Sequence, residues 1–185
     1  MRSVPNRLNE IDSAITARNL HGVFQPTVDV ANCTVFGHDG LIRGPVNSKM
    51  HFPAALFRAA SGAGTASALE FIAAQVILGS SDRGGRLLFV NFSARAITQM
   101  GSTAGRERVC NALLRCDMTA RSLVIEITEH ERVTDHQGLA DASRFLRGLG
   151  MGIALDDFGD GSSSLRLCAE IQPEDVCSPP MTNGT

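Results

Sequence analysis

The sequence lacks several features that would assign it to a functional class at once. No run approaches the roughly 18 apolar residues of a membrane-spanning helix, and its first residues do not form a secretory signal peptide. The formal net charge of −2 and the isoelectric point near 6.2 argue against electrostatic binding of nucleic acid. We therefore expect a cytoplasmic protein with no nucleic-acid partner and no membrane association.

Cysteine pairs of the kind that bind metal or form disulfides are also missing. The five cysteines are an odd number at irregular spacing, and none belongs to a Cys-x-x-Cys pair. Reduced thiols acting as small buried apolar groups are typical of a cytosolic protein with this pattern. The five histidines show no ligand spacing either and are predicted to be structural or to lie on the surface.

Lysine is nearly absent, since Lys49 is the only lysine among 17 cationic residues. What the chain does contain is enough apolar material for a core: 43% of its 185 residues are hydrophobic. Its length fits one domain, which we expect over residues 1–176. The remaining residues, 177–185, contain a Pro-Pro pair and are predicted to form a disordered tail.

Predicted strands alternate with helices of about a dozen residues. A first helix over 7–19 and a hairpin over 23–43 come first, and Pro26 indicates an edge strand or a bulge there. Alternating elements follow, which predicts a parallel α/β sheet. These are helices at 52–60 and 67–78, a strand at 87–91, a helix at 106–115, a strand at 123–127, a helix at 137–149, a strand at 153–155 and a helix from 162.

Four apolar runs each end in an acid or an amide, which we expect to lie at the ends of strands. Oxygen ligands at the carboxyl ends of neighbouring parallel strands are how an α/β barrel builds a divalent-metal site at one mouth. Crowded carboxylates repel each other unless a cation is present, and Mg²⁺ or Mn²⁺ prefers oxygen ligands. Two adjacent acids suggest a two-metal site. The predicted ligands are Asp39, Asn91, Glu126, Asp156 and Asp157.

Two further features have both an ordinary and a functional interpretation. Arg43 is either a solvated surface residue or a guanidinium that binds a phosphate beside the metal site. The glycine- and serine-rich stretch over 157–165 is either an ordinary strand-to-helix loop or a loop that folds over phosphate.

These segments together resemble the EAL domain, the bacterial family that hydrolyses cyclic di-GMP. The resemblance covers about residues 8–176 and rests on five ordered motifs. They are Phe24-Gln25-Pro26-Thr27-Val28-Asp29 for the family's "QPIVD" strand, His38-Asp39-Gly40-Leu41-Ile42-Arg43 for its "EALLR" signature, Val90-Asn91-Phe92-Ser93 for "VN-S", Glu126-Ile127-Thr128-Glu129 for "E-TE", and Asp156-Asp157-Phe158-Gly159-Asp160-Gly161-Ser162-Ser163-Ser164-Leu165 for "DDFGTGYSSL".

The resemblance implies a fold, a reaction and roles for particular residues. The fold would be an incomplete TIM-like (β/α)8 barrel, with roughly the first five to six strands present. Two divalent metals, Mg²⁺ or Mn²⁺, would activate water for attack on one phosphodiester of cyclic di-GMP, giving linear pGpG. The five predicted oxygen ligands would hold the metals. Gln25 and Arg43 would contact the dinucleotide, and Glu129 would support the loop that begins at Asp157.

The chain departs from the family pattern at several positions. Asp39 replaces the signature glutamate and is one methylene shorter, while Asp160 and Ser162 replace the loop's threonine and aromatic residue. Cys177 stands where an ungapped match puts the catalytic lysine, and no lysine follows Lys49. We therefore expect these 185 residues by themselves to be inactive or strongly impaired as a phosphodiesterase.

Three hypotheses remain open from the sequence. The first is a cyclic di-GMP phosphodiesterase that is incomplete or degenerate. The second is a non-catalytic module that binds cyclic di-GMP or a protein partner, and an incomplete barrel with open strand edges would favour a partner or self-association that completes it. The third is an unrelated α/β protein whose acids occur at these positions by accident.

Overall fold

The computed structural model describes residues 19–80, 85–116, 118–128, 133–156, 168–169, 171 and the backbone of 175–176. The chain divides into two compact units, one up to Gly84 and the other from Gly85 onward. We call them the hairpin unit and the parallel unit after their strands. The predicted N-terminal helix, most of the helix predicted from residue 162 and the predicted tail lie outside the described residues.

The hairpin unit begins with two antiparallel strands, β1 (His21–Asp29) and β2 (Thr34–Arg43). The register shifts between Thr27 and Val28, directly after Pro26, so the predicted bulge is present. A proline has no N–H for the ladder and is tolerated at such an irregularity. In the turn, the Asp29 carboxylate accepts hydrogen bonds from the Asn32 side chain and from the backbone N–H of Asn32 and Ala31, and these bonds lower the pKa of Asp29.

Two helices pack against this hairpin, α1 (Pro53–Gly62) and α2 (Ala66–Gly79). Pro53 occupies the first turn of α1, where its missing N–H costs nothing. One apolar cluster joins buried side chains of the two helices, of β2 and of the residue before β1. Its members are Leu20, Ile42, Leu56, Ala60, Leu69 and Ala73. The predicted helices over 52–60 and 67–78 are thus confirmed with small changes at their ends.

The parallel unit contains four parallel strands that lie side by side in chain order. They are β3 (Leu87–Ser93), β4 (Leu123–Thr128), β5 (Gly152–Asp156) and the short β6 (Asp175–Val176). Parallel neighbours need long crossover connections, which are usually helical. Here α3 (Ala94–Met100), α4 (Thr103–Arg115) and a 3-10 turn (Ala120–Ser122) link β3 to β4, and α5 (His136–Gly148) links β4 to β5.

Helix α3 was not expected from the sequence, and a strand-to-helix cap explains its position. The Ser93 hydroxyl accepts a hydrogen bond from the Ala96 N–H at 3.2 Å and so ends β3 and starts α3 at once. The next helix, α4, begins just after α3. Gly105 in α4 lies so close to α3 that a Cβ on it would collide with the Gln99 carbonyl oxygen. The serine of the Val90-Asn91-Phe92-Ser93 motif therefore has a clear structural role.

Strands β3, β4 and β5 are buried on both faces, as their nearly continuous apolar sequences predict. One face carries the even-numbered residues of β3, including Leu88 and Val90. The other face carries a small apolar cluster of Phe89, Val124 and Ala154. The parallel α/β prediction is confirmed, and none of the helices in the described part of the chain combines the length and apolar character needed to cross a bilayer.

Candidate metal and ligand site

Asn91 and Glu126 lie side by side in the parallel unit. They are direct partners in the ladder between β3 and β4, so their Cα atoms are about one strand spacing, roughly 4.8 Å, apart. Paired residues of parallel strands project from the same face of a sheet. This is the face of Phe89 and Val124, because those two residues lie two positions earlier on the same strands.

Asp156 joins this face at the end of the next strand. The ladder partner of Glu126 on β5 is Ala154, and Asp156 follows two residues later, level with Thr128. Two residues along a strand amount to about 6.6 Å. Strand geometry therefore places an amide and two carboxylates on one face in a diagonal row that rises toward the carboxyl end of β5.

The positions of these residues along their strands differ in part from the prediction, which placed all three at the strand ends. Asp156 does end β5, whereas Asn91 and Glu126 each lie two residues before the end of their strands. Sequence patterns locate a polar residue in an apolar run but leave the point where hydrogen bonding stops undetermined. The consequence is burial: only 8% of Glu126 is exposed, while Asn91 and Asp156 are half-buried.

A buried glutamate needs compensation, because burial disfavours the charged form of a carboxylate. None of these three residues lacks an interaction partner within the protein. Within the described ranges, no three histidine, cysteine, aspartate or glutamate side chains are gathered as a metal-holding group. The row contributes one amide and two carboxylates, and this all-oxygen donor set fits Mg²⁺ or Mn²⁺.

The hairpin unit carries three other predicted site residues on one face. Gln25 and Asp39 are direct partners across the antiparallel pair, and Arg43 lies four residues beyond Asp39 on the same side of β2. Gln25 is exposed, while Asp39 and Arg43 are half-buried. One Nη1–H of Arg43 donates to the carbonyl oxygen of Ile42 at 3.0 Å, which holds the guanidinium near the strand. Contrary to the strand-end expectation, Asp39 is in the middle of β2.

Three predicted positions lie outside the described residues: Asp157, Glu129 and Cys177. The same is true of most of the glycine- and serine-rich loop that follows Asp156. Their predicted roles therefore stay predictions.

One buried carboxylate in the hairpin unit escaped the sequence interpretation. Glu70 on α2 is only 8% exposed and has an interaction partner. It is the only charged residue in that 14-residue, strongly apolar helix. Because carboxylates are almost never fully buried without a reason, a lone acid at a core position of an apolar helix was the available signal.

Comparison with known proteins matches the chain to the EAL domain family model over residues 8–177. Among curated proteins, it is 28% identical over 191 aligned positions to a protein of Escherichia coli strain K12 named as a probable cyclic di-GMP phosphodiesterase, PdeI. That alignment covers 92% of this chain and 24% of PdeI, so the chain spans about a quarter of this relative's length.

Two solved structures show a similar fold. The complex of Klebsiella pneumoniae BlrP1 with manganese and cyclic di-GMP superposes with a TM-score of 0.72 at 24% identity, over 85% of this chain and 40% of that one. The EAL domain of Xanthomonas citri FimX, in complex with cyclic di-GMP, gives a TM-score of 0.76 at 15% identity, over 92% of this chain and 67% of that one. The predicted barrel of the EAL type, incomplete in this chain, is confirmed.

Proposed function

The chain belongs to the EAL domain family of cyclic di-GMP signalling, and we propose that it binds cyclic di-GMP together with divalent metal ions but does not hydrolyse it efficiently. The observation that carries the binding proposal is the register of the parallel unit. Asn91 and Glu126 are paired across two strands, and Asp156 extends the same row. Three oxygen-bearing side chains on one face of three successive strands support a metal site, which any one of them alone would not.

The metal ligands in this proposal are the row of Asn91, Glu126 and Asp156, with Asp157 as the next residue of the chain. The motif resemblance adds Asp39 from the hairpin unit. Mg²⁺ or Mn²⁺ would supply charge neutralisation at a phosphate and a bound water of lowered pKa. Asp39 is one methylene shorter than the family's glutamate, so its carboxylate reaches less far from the strand.

The ligand contacts in this proposal come from the hairpin unit. Arg43 presents a planar guanidinium, whose N–H groups match the oxygens of a phosphate in pairs. One of its five N–H groups donates to the Ile42 carbonyl. Gln25 lies on the same hairpin face and offers both an amide donor and an amide acceptor. These groups bind and orient the dinucleotide.

The proposed loss of turnover rests on Cys177. The motif match puts a cysteine at the position of the family's catalytic lysine, and Lys49 is the only lysine of the chain. An ammonium group carries three donors and a full positive charge, whereas a thiol is neutral below its usual pKa and is a weak donor. A cysteine therefore cannot stabilise negative charge that develops at a phosphate or a nearby water.

A second candidate function is a non-catalytic module that binds a protein partner or a second copy of itself. Large apolar side chains are exposed at the turn end of the hairpin, which favours this function. These side chains are Val28, Val30, Val35 and Phe36. Light scattering and a pull-down with the 185-residue chain would test it, and a monomer that captures nothing would exclude it.

Calorimetry and a turnover assay test the main proposal together. We expect cyclic di-GMP to bind in the presence of Mn²⁺ or Mg²⁺, and pGpG to stay at the level of a metal-only blank. The Cys177→Lys variant should raise turnover while leaving binding intact. Absence of any binding would overturn the proposal, and efficient turnover by the unaltered chain would overturn its catalytic part.

A further inference from the structure

Three aromatic rings meet at the open end of the hairpin, where β1 begins and β2 ends. The imidazole rings of His21 and His51 have centroids 5.8 Å apart and are tilted by 31°. The Phe52 ring packs edge-on against His51, with centroids 5.1 Å apart and an angle of 72°. We call these three residues the ring cluster. The sequence interpretation took both histidines as structural or surface residues, because the five histidines show no ligand spacing.

The loop between β2 and α1 holds the ring cluster in one arrangement. The Gly44 N–H donates to the His51 carbonyl at 3.0 Å, and His51 Nδ1 lies 3.2 Å from the Gly44 carbonyl oxygen. Since a carbonyl only accepts, Nδ1 carries the proton, and Nε2 is an acceptor in the neutral ring. A Cβ on Gly44 would collide with the Met50 carbonyl oxygen, so this closure requires glycine.

Phe52 is anchored through its backbone and yet exposes its ring. Its carbonyl oxygen accepts from the N–H groups of Ala55 and Leu56, both at 3.1 Å, at the start of α1. Its side chain is nevertheless 66% exposed. The exposed Phe52 ring packs against His51, which in turn packs against His21, so it belongs to an aromatic group and is not a single scattered apolar side chain.

The ring cluster continues the face that carries the proposed dinucleotide contacts. His21 is the direct ladder partner of Arg43, and side chains directly opposite in an antiparallel pair have Cβ atoms about 4.5–5.5 Å apart. Gln25 and Asp39 lie on the same face, four residues away on each strand. The side chain of Arg43, which carries a guanidinium suited to phosphate, therefore begins beside His21, one member of the ring cluster.

We propose that the ring cluster is a stacking subsite for a purine base of the nucleotide whose phosphate Arg43 binds. This inference rests on the proposed function, and for that ligand the base is guanine. Every nucleobase has a flat π face that stacks on phenylalanine or histidine. Phe52 supplies the exposed face, and His51 Nε2 is an acceptor that matches the N–H donors on the edge of guanine.

A tryptophan at position 52 provides a direct test, because the chain contains no tryptophan. In Phe52→Trp, the indole is the only such fluorophore, and a stacked guanine quenches it. We expect quenching when cyclic di-GMP is added with Mn²⁺, and none in the matched variant Phe36→Trp, whose ring lies at the turn end of the hairpin and is 41% exposed in the unaltered chain. Equal quenching in both variants, or none in Phe52→Trp, would overturn the subsite.

Calorimetry gives a second, independent readout. We expect Phe52→Ala to weaken cyclic di-GMP binding about 5- to 100-fold, the usual effect of removing one stacking partner. Phe52→Trp should keep the affinity, Phe36→Ala should not change it, and the affinity for Mn²⁺ alone should be the same in all variants. Unaltered melting temperatures would verify folding.

The outcomes separate this inference from the proposed function. If the unaltered chain binds the dinucleotide and Phe52→Ala binds it equally well, the subsite is wrong and the proposed function stands. If the unaltered chain binds no dinucleotide, both are wrong. If Phe52→Ala instead loses only a protein partner, the ring cluster is a protein-docking surface and the subsite is wrong.

Discussion

In the parallel unit, Asn91 and Glu126 are fixed side by side by strand register, and Glu126 is nearly buried. In the hairpin unit, Gln25 and Asp39 face each other across an antiparallel pair, and Gln25 is exposed. Buried, register-fixed oxygen ligands suit a metal ion, which demands precise geometry. Exposed groups on a hairpin suit a larger ligand that covers them. Under the proposed function, metal binding would therefore belong mainly to the parallel unit and ligand contacts mainly to the hairpin unit.

The largest effects should come from the two apolar cores. Leu88 in the parallel unit and Leu56 in the hairpin unit are both fully buried. Replacing either with alanine leaves a cavity and should lower the free energy of unfolding by about 2–5 kcal/mol, measured by denaturant titration. Leu114→Ala on α4, at a side chain that is 84% exposed, is the matched control and should have little effect.

The same two variants test whether the two units unfold separately or together. If Leu56→Ala and Leu88→Ala shift different steps of the denaturation curve, the units unfold separately. A single shared transition would mean that they unfold together. A loss for Leu88→Ala no larger than that for Leu114→Ala would contradict the described core.

The next largest effect should come from Glu126→Gln, which removes one charge at nearly constant size. Loss of a group that supports a metal ligand weakens metal binding roughly 10- to 100-fold. Glu126→Gln alters a proposed ligand itself, so it should weaken Mn²⁺ binding by more than that. Calorimetry with Mn²⁺ is the measurement, and Glu107→Gln on the exposed side of α4 is the control. Asp39→Asn should lose less, since its side chain is short for the role. An equal loss of Mn²⁺ affinity in Asp39→Asn would contradict the proposal that the parallel unit provides most of the metal binding.

Arg43→Ala should have a smaller effect, confined to the dinucleotide. Loss of a hydrogen bond to a charged group costs about 1.5–3 kcal/mol, or roughly 10- to 100-fold in affinity. Arg43→Lys should recover only part of it, because lysine keeps the charge and loses the planar fork. Arg58→Ala, an exposed arginine on α1, is the control. Weaker Mn²⁺ binding in Arg43→Ala would show that the hairpin unit also supports the metal.

The smallest effect concerns Asp29 in the hairpin turn. Hydrogen bonds from the Asn32 side chain, and then from backbone N–H groups, lower the pKa of this carboxylate below its ordinary value of 3.8. A depressed folded pKa contributes stability above the unfolded value, and this stability is lost as pH falls through the folded pKa. NMR titration should give a lower midpoint for Asp29 in the folded chain than in urea. Equal midpoints would contradict the turn geometry.

The sequence predicted most of the described fold because the longer helices carry apolar residues at helical spacing and the parallel strands are nearly continuous apolar runs. The hairpin with its irregularity near Pro26 and the parallel strands around Glu126 followed from local patterns alone. Helix α3 was missed because its seven residues are too few to establish a helical period, and its start depends on the Ser93 cap.

The residue types of the candidate site could be predicted from the sequence, but the distance of each residue from its strand end, and so its burial, could not. The motifs on successive strands predicted that Asn91, Glu126 and Asp156 meet at one mouth, and the strand register adds that they share one face of the sheet. Their distance from the strand ends depends on where the ladder hydrogen bonds stop, which residue types do not reveal. The meeting of His21 and His51 depends on closure of the hairpin and of the loop at Gly44, a non-local event that no periodicity records.

The pairing of Asn91 with Glu126 determines which length changes the protein tolerates. Side chains alternate between the two faces of a sheet, so one residue inserted into β4 before Glu126 would turn its carboxylate to the opposite face. An insertion between α4 and the 3-10 turn would leave the pair unchanged, because the ladder and not the connection sets their alignment. A single-residue length change is therefore disruptive within a strand and is better tolerated in the short segment between α4 and the 3-10 turn.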